Sequence, residues 1–171
     1  MNGFEDVYYN EIKGERKMSE VKHLAINYKT AEDFKKFREY GAQELQMVKE
    51  LEGNMIDANM DSPFYGIYVG DTLAARMCLY RREDEHAPIF DPPHDYMVIW
   101  KLEVLEKYRG RGFGSKLIDY AKSYGIPIKA ISRQNSRGFF ESHGFEPLKY
   151  DIERDMSEDP LIWYPEGYVL N

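Results

Sequence analysis

An α/β fold of the α+β kind is the class this 171-residue sequence predicts: a mixed, mostly antiparallel sheet of six or seven strands with helices on both faces. Three observations predict it. Strand-like and amphipathic helical runs follow one another in the order β-α-α-β-β-β-α-β-α-β, with a further strand at the end. Two of the strands flank a tight Gly-Asp turn, and no repeat or low-complexity tract breaks the pattern. The chain, 43% hydrophobic and 15% aromatic, can bury one sizeable core but not two, so residues 18–171 are expected to form a single domain.

Residues 1–17, MNGFEDVYYNEIKGERK, are polar and aperiodic. They are expected to be a disordered or docking arm, or the product of a misplaced start with Met18 as the true one, because purine-rich codons for Gly-Glu-Arg would precede Met18 as a ribosome-binding site does. His23–Tyr28 (HLAINY) reads as a strand, and Thr30 with Asp33 resembles a capping box with Asp in place of Glu. Phe34, Phe37, Gly41, Leu45, Val48 and Leu51 recur at helical spacing, with Gly41 a bend or a junction between two helices. Gly53–Pro63 is turn-rich. FYGIYVG and TLAARMCLYRR around Gly70-Asp71 form a hairpin, and Arg82–Asp95 is a charged, proline-broken loop. Residues 96–105 are nearly all apolar, as in a strand buried on both faces. Phe113, Leu117, Ala121 and Tyr124 mark the next helix, stopped by Gly125 and Pro127. Residues 127–132 (PIKAIS) read as a strand, Arg133–Phe145 as a short helix ending at Gly144, EPLKYDIE as a strand, and Leu161–Pro165 as a last one.

Twenty-three Lys and Arg against 30 Asp and Glu give a net charge of −7, so neither nucleic acid nor an anionic membrane is an expected partner. One cysteine, Cys78, excludes an intrachain disulfide and is most simply a small buried hydrophobe. No apolar run of about 18 residues or signal-like N-terminus occurs, so a cytoplasmic protein is expected.

Chemistry concentrates at residues 108–114, YRGRGFG. A strand delivers the chain to glycines whose backbone lets N–H groups approach an anion, and a helix N-terminus follows. Lys107, Arg109, Arg111 and Lys116 gather positive charge there on an acidic chain, which suits a di- or polyphosphate. The bland alternative is a glycine-rich turn with a solvated basic edge. Gly110 and Gly114 enclose three residues and Ser115 precedes Lys116, so the mononucleotide P-loop spacing fails. Gly112 leads to Ser115 where a dinucleotide or kinase loop needs glycine, so that spacing fails too.

The pattern Arg109-x-x-Gly112-x-Gly114, after a strand ending Leu-Glu-Val, resembles motif A of the GCN5-related N-acetyltransferases, the GNAT superfamily. FFESHGF, Phe139–Phe145, resembles its motif B helix, and the chain looks most like the small YlbP-type members of bacilli. Over residues 21–153 the resemblance implies a sheet splayed between strands 96–105 and 127–132, with acetyl-CoA as co-substrate in the wedge. It implies that backbone groups of Leu102 and Val104 pair with the pantetheine arm. Arg109, Gly110, Arg111, Gly112, Phe113, Gly114 and Ser115 would hold the pyrophosphate through backbone N–H groups, with Asn135 and Phe140 as further contacts. At least one of Arg109 and Arg111 is expected to be a solvated surface arginine.

The reaction so implied is direct attack of an amine on the thioester carbonyl. Here the sequence departs from the family. The tyrosine often used as acid falls at Phe140, and the strand positions of the base fall at Val98 and Trp100. Glu103 is the nearest carboxylate but has the opposite strand parity, and a structural role for it is as good a reading as a base. Tyr96 and Tyr150 are the other candidates, each equally an aromatic at the edge of the core. His143 suits a helix C-terminus. His86 and His94 with Glu83, Glu85, Asp91 and Asp95 match no metal-ligand spacing, so no metal is expected, although this acidic loop could attract a cationic amine. The reading is an acetyl-CoA-dependent N-acetyltransferase for a small-molecule or peptide amine, monomeric or homodimeric. A non-catalytic acyl-CoA-binding module is the alternative, and a protein-interaction scaffold using Trp163 and Tyr164 a third.

Overall fold

The computed structural model describes residues 20–53, 62–83, 89–132, 136–156 and 158–169. The N-terminal arm expected over residues 1–17 lies outside them, as does most of the turn-rich stretch after Gly53. Strand β1 (Lys22–His23) pairs antiparallel with β2 (Phe64–Val69), placing Lys22 opposite Gly66 and His23 opposite Tyr65. The strand expected to reach Tyr28 stops early because Asn27 turns the chain into helix α1 (Tyr28–Phe34): its Oδ1 accepts the N–H of Thr30 at 2.9 Å. The cap is therefore Asn27, not Thr30. The Thr30 hydroxyl instead donates to the Ala25 carbonyl at 2.6 Å, and Asp33 accepts from the Tyr68 hydroxyl at 2.7 Å and from Lys29 at 3.1 Å.

Gly41 is the junction between two helices, as its place in the periodicity suggested. Its N–H donates to Glu44 Oε2 at 2.9 Å at the start of helix α2 (Ala42–Glu52). The buried face of α2 is not the one expected: Leu45 is 50% exposed, while Glu44 and Met47 are buried. The reason is Arg76 on strand β3 (Thr72–Arg82), whose guanidinium pairs with Glu44 and sits 4.9 and 5.0 Å from the ring centres of Phe34 and Phe37. Two charges that need each other set the rotation of the helix.

Gly70, at φ 60°, makes the turn between β2 and β3. Strand β4 (Tyr96–Val104) begins with four buried residues, Tyr96 to Ile99. After a 3₁₀ turn at Glu106–Tyr108 comes helix α3 (Phe113–Lys122), which buries Phe113, Leu117, Ile118 and Ala121 and leaves Tyr124, beyond its end, 38% exposed. Strand β5 (Ile128–Ser132) and helix α4 (Arg137–Ser142) follow, the latter closed by Gly144 at φ 85°. The strand expected at EPLKYDIE shrinks to β6 (Glu146–Pro147), and Ile152–Asp155 forms a helical turn, α5. Asp151 drives that change by accepting the Glu153 N–H at 3.0 Å, and buried Asp155 reaches Lys129 of β5 at 3.6 Å. Strand β7 (Asp159–Trp163) is the last.

The strand order is β1-β2-β3-β4-β5-β7-β6. β4 and β5 are parallel, with Met97 opposite Ile128 through Ile99 opposite Ala130, while β5–β7 and β6–β7 are antiparallel. The register of β4 with β5 thus ends at Ile99, although β4 runs on to Val104. Contacts group the chain into two compact units. Among the described residues, one comprises those up to Met77 with Leu102–Leu117; the other comprises those of Cys78–Lys101 and those from Ile118. The core of the first is built on Phe34, Phe37, Ile67 and Leu73. In the second, Phe90, Tyr96, Val98 and Ile162 form a cluster joined by Tyr80, Tyr164 and Tyr168.

Candidate functional site

The glycine-rich loop lies wholly within the first unit. Its entrance is fixed by the N–H of Leu105, which donates to the Ala74 carbonyl at 2.8 Å, and by a single 3₁₀ turn in which Tyr108 N–H returns to Leu105 at 2.8 Å. Tyr108 is buried, its ring centre 6.4 Å from that of Phe113, so one aromatic pair joins both ends of the loop. Between them Gly110 and Gly112 adopt φ 77° and φ 80°, a conformation that L side chains resist. A Cβ at either position would meet no atom within 4 Å. Backbone conformation, not crowding, makes these positions glycine, and the space beside them is open.

Helix α3 starts at once, with Lys116 N–H bonding the Gly112 carbonyl at 3.1 Å. No acidic residue stands in its first turn, so nothing there offsets the positive end of its dipole. Glycines at positive φ, a helix start and the exposed side chains of Arg111 and Lys116 within one stretch have the chemistry to bind an anion with several oxygens. The two loop arginines differ. Arg109 turns back, its Nε donating to the Val104 carbonyl at 3.3 Å, whereas Arg111 leans over the Tyr108 ring at 5.4 Å, with Lys107 5.6 Å from the same ring. Leu102, Val104 and Ser115 are half-buried, and Phe113 and Gly114 are buried. Asn135 lies outside the described residues. Phe140 is 4% exposed in the second unit, with Phe139 and Phe145 ring centres 5.5 and 5.3 Å away.

The three candidate acid–base residues have different surroundings. Glu103 accepts the N–H of Arg38 at 3.0 Å on Oε1 and that of Glu39 at 3.3 Å on Oε2, both from the chain between α1 and α2. Tyr96 is 3% exposed, edge-on to Phe90. Tyr150 is 53% exposed.

His86 and Glu85 lie outside the described residues, among which no three His, Cys, Asp or Glu residues gather as a metal site would require. His94 stacks on Phe90 at 3.9 Å, its Nδ1 3.0 Å from the Asp95 carbonyl and its Nε2 against the Tyr168 hydroxyl. His143 faces the Phe139 carbonyl at 2.7 Å through Nδ1, near the C-terminus of α4. Cys78 is buried. Among the described residues no helix is long and apolar enough to cross a membrane. Sequence reasoning missed the Glu44–Arg76 pair; an arginine inside the apolar run TLAARMCLY was the signal that could have found it.

The model of the acetyltransferase (GNAT) family matches residues 26–145. An uncharacterized N-acetyltransferase of Halalkalibacterium halodurans is 54% identical over 148 residues, covering 86% of this chain and 88% of that protein. YlbP of Bacillus subtilis, also named an uncharacterized N-acetyltransferase, is 50% identical over 149 residues, 87% of this chain and 93% of that protein. The crystal structure of B. subtilis YlbP in complex with coenzyme A is similar at a TM-score of 0.80 and 51% identity, over 86% of this chain and 97% of that one. At the level of fold alone, Arabidopsis thaliana NAA60 in complex with a bisubstrate analogue matches at a TM-score of 0.59 and 13% identity, over 86% and 99% of the two chains.

Proposed function

We propose that this chain, which belongs to the GNAT family of acetyltransferases, binds acetyl-CoA along residues 102–115 and transfers the acetyl group directly to an amine of a small molecule or peptide. The observation that carries the proposal is the pair of left-handed glycines on either side of Arg111, open on their Cβ side and set against a helix start that has no acidic residue. The coenzyme A complex of the 51% identical YlbP supports the same ligand.

Bound acetyl-CoA supplies an activated acyl thioester whose thiol is a fair leaving group. The chain's own contribution is placement. Backbone groups of Leu102 and Val104 take the pantetheine arm as an added strand, and a carbonyl has lone pairs for both that arm and Arg109 Nε. N–H groups from Gly110 to Ser115, with Arg111 and Lys116, hold the pyrophosphate. Backbone N–H polarises the acyl carbonyl, and the amine attacks in its neutral form. With Glu103 engaged by two backbone N–H groups and Tyr96 buried, proximity carries more of the rate than side-chain proton transfer.

The test is calorimetry with acetyl-CoA on the wild type and Gly112→Glu. The variant puts a β-carbon on a left-handed backbone and a carboxylate where phosphate belongs, and we expect affinity to fall by about 100-fold or more, equivalent to ~2.7 kcal/mol. Unchanged affinity would overturn the loop assignment. A non-catalytic acyl-CoA-binding module is favoured by one observation, an apolar, buried Phe140 at the acid position. Acetyl-CoA-dependent thiol release across a panel of amines separates the two: turnover with any amine excludes the module.

A further inference from the structure

Glu103 stands on β4 between Leu102 and Val104, the two residues assigned to the donor's arm, and its side chain projects to the opposite face of the strand from theirs. Both carboxylate oxygens accept backbone N–H groups from the corner between α1 and α2: Arg38 at 3.0 Å and Glu39 at 3.3 Å, residues 65 and 64 positions away in the chain. Hydrogen bonds to an ionised acceptor are stronger than neutral ones, and two from consecutive amides fix a short segment in both position and direction. The same corner is held a second time. Glu44 takes the N–H of Gly41 at 2.9 Å and pairs with Arg76, while Phe37 lies beneath the Arg76 guanidinium. The corner therefore has one carboxylate at its centre and another at its exit, and all these groups belong to one compact unit.

From this we infer that Glu103 is a positioning residue for the transfer reaction: it sets the α1–α2 corner against the end of β4 that carries the acyl donor, and it is not the base. The inference rests on the acetyl-CoA reading above. A carboxylate whose two oxygens already serve amides has a structural task, and it stands on the face of β4 turned away from Leu102 and Val104. Small misplacements of a wall beside a reacting centre cost rate, by as much as 100-fold for about 1 Å. Losing Glu103 is therefore expected to slow the transfer by misplacing the corner, leaving the proton balance of the reaction alone.

The experiment compares the wild type with Glu103→Gln and Glu103→Ala. Amide hydrogen exchange, which needs no acceptor, is expected to quicken at least about 10-fold at Arg38 and Glu39 in Glu103→Ala. The Phe140 amide, bonded to the Ser136 carbonyl at 3.2 Å, serves as the internal control. A glutamine keeps one acceptor oxygen, so Glu103→Gln is expected to expose one of the two amides and protect the other. With the amine that turns over fastest, kcat/KM is expected to fall about 10-fold in Glu103→Ala and less in Glu103→Gln, the pH–rate profile keeping its wild-type shape. Unchanged exchange at Arg38 and Glu39, or loss of a limb of the pH–rate profile in Glu103→Gln, would overturn the inference. Failure of the wild type to bind acetyl-CoA in calorimetry would instead overturn the donor reading, so the two failures are distinct.

Discussion

Arg76 and Glu44 are both out of water, and among the described residues Nε and Nη2 of Arg76 have no hydrogen-bond partner. The guanidinium carbon lies over the rings of Phe34 and Phe37, 4.9 and 5.0 Å from their centres. Such a pair depends on completeness: removing either member strands the other charge. We expect Arg76→Ala or Glu44→Gln to lower stability by roughly 3–5 kcal/mol and the joint Arg76→Met, Glu44→Leu replacement to cost less than either, in urea unfolding. Tyrosines report on burial in another way. Burial pushes the phenols of Tyr80 and Tyr164 above their ordinary value. A phenol raised in the folded state favours folding while it is protonated, so its contribution is complete below the unfolded pKa near 10 and lost as pH climbs through the higher folded value. The thermal midpoint is expected to fall above about pH 10, and the joint Tyr80→Phe, Tyr164→Phe variant to fall less steeply, measured by calorimetry between pH 8 and 11.

Gly66 shows how an element depends on a single atom. A Cβ at this position of β2 would lie 2.6 Å from Leu73 Cδ1 and 2.9 Å from the Ala75 carbonyl oxygen, and backbone cannot step aside cheaply. Gly66→Ala is expected to cost about 1–3 kcal/mol by forcing β2 from its neighbours, seen as a lower urea midpoint with unchanged slope. Elements whose periodicity matched their burial were legible from sequence: the Gly-Asp hairpin, the apolar first half of β4, the stripe of α3. Those decided by one polar contact were not. Asn27 capping α1 and Asp151 coiling the chain where a strand pattern ran each act over two or three residues against the apolar pattern, whereas Asp155 with Lys129 and Arg76 with Glu44 join residues that only the fold brings together. The site divides along the same line. The conformation of YRGRGFG was readable because a strand end, left-handed glycines and a helix start are local, all within one short stretch. The partners of Glu103 were not, because they sit more than sixty residues upstream.

For the molecule as a whole, the proposed binding of acetyl-CoA would be linked to folding. At acetyl-CoA one hundred times above its Kd the native state gains about 2.7 kcal/mol, a rise in midpoint of roughly 5–11 °C for a chain of this size. Gly112→Glu is expected to lose that increment in differential scanning fluorimetry, and its ligand-free midpoint reports the conformational strain separately. The order of strands has a further consequence. The sheet ends in β1 on one side and β6 on the other, each two residues long and exposed; one contains Lys22 and the other Pro147, which has no N–H to offer. Neither margin gives a foreign strand a ladder to continue. A seven-stranded sheet with blunted margins resists acting as a template for fibrils, so this protein should withstand high concentration without seeding cross-β assembly.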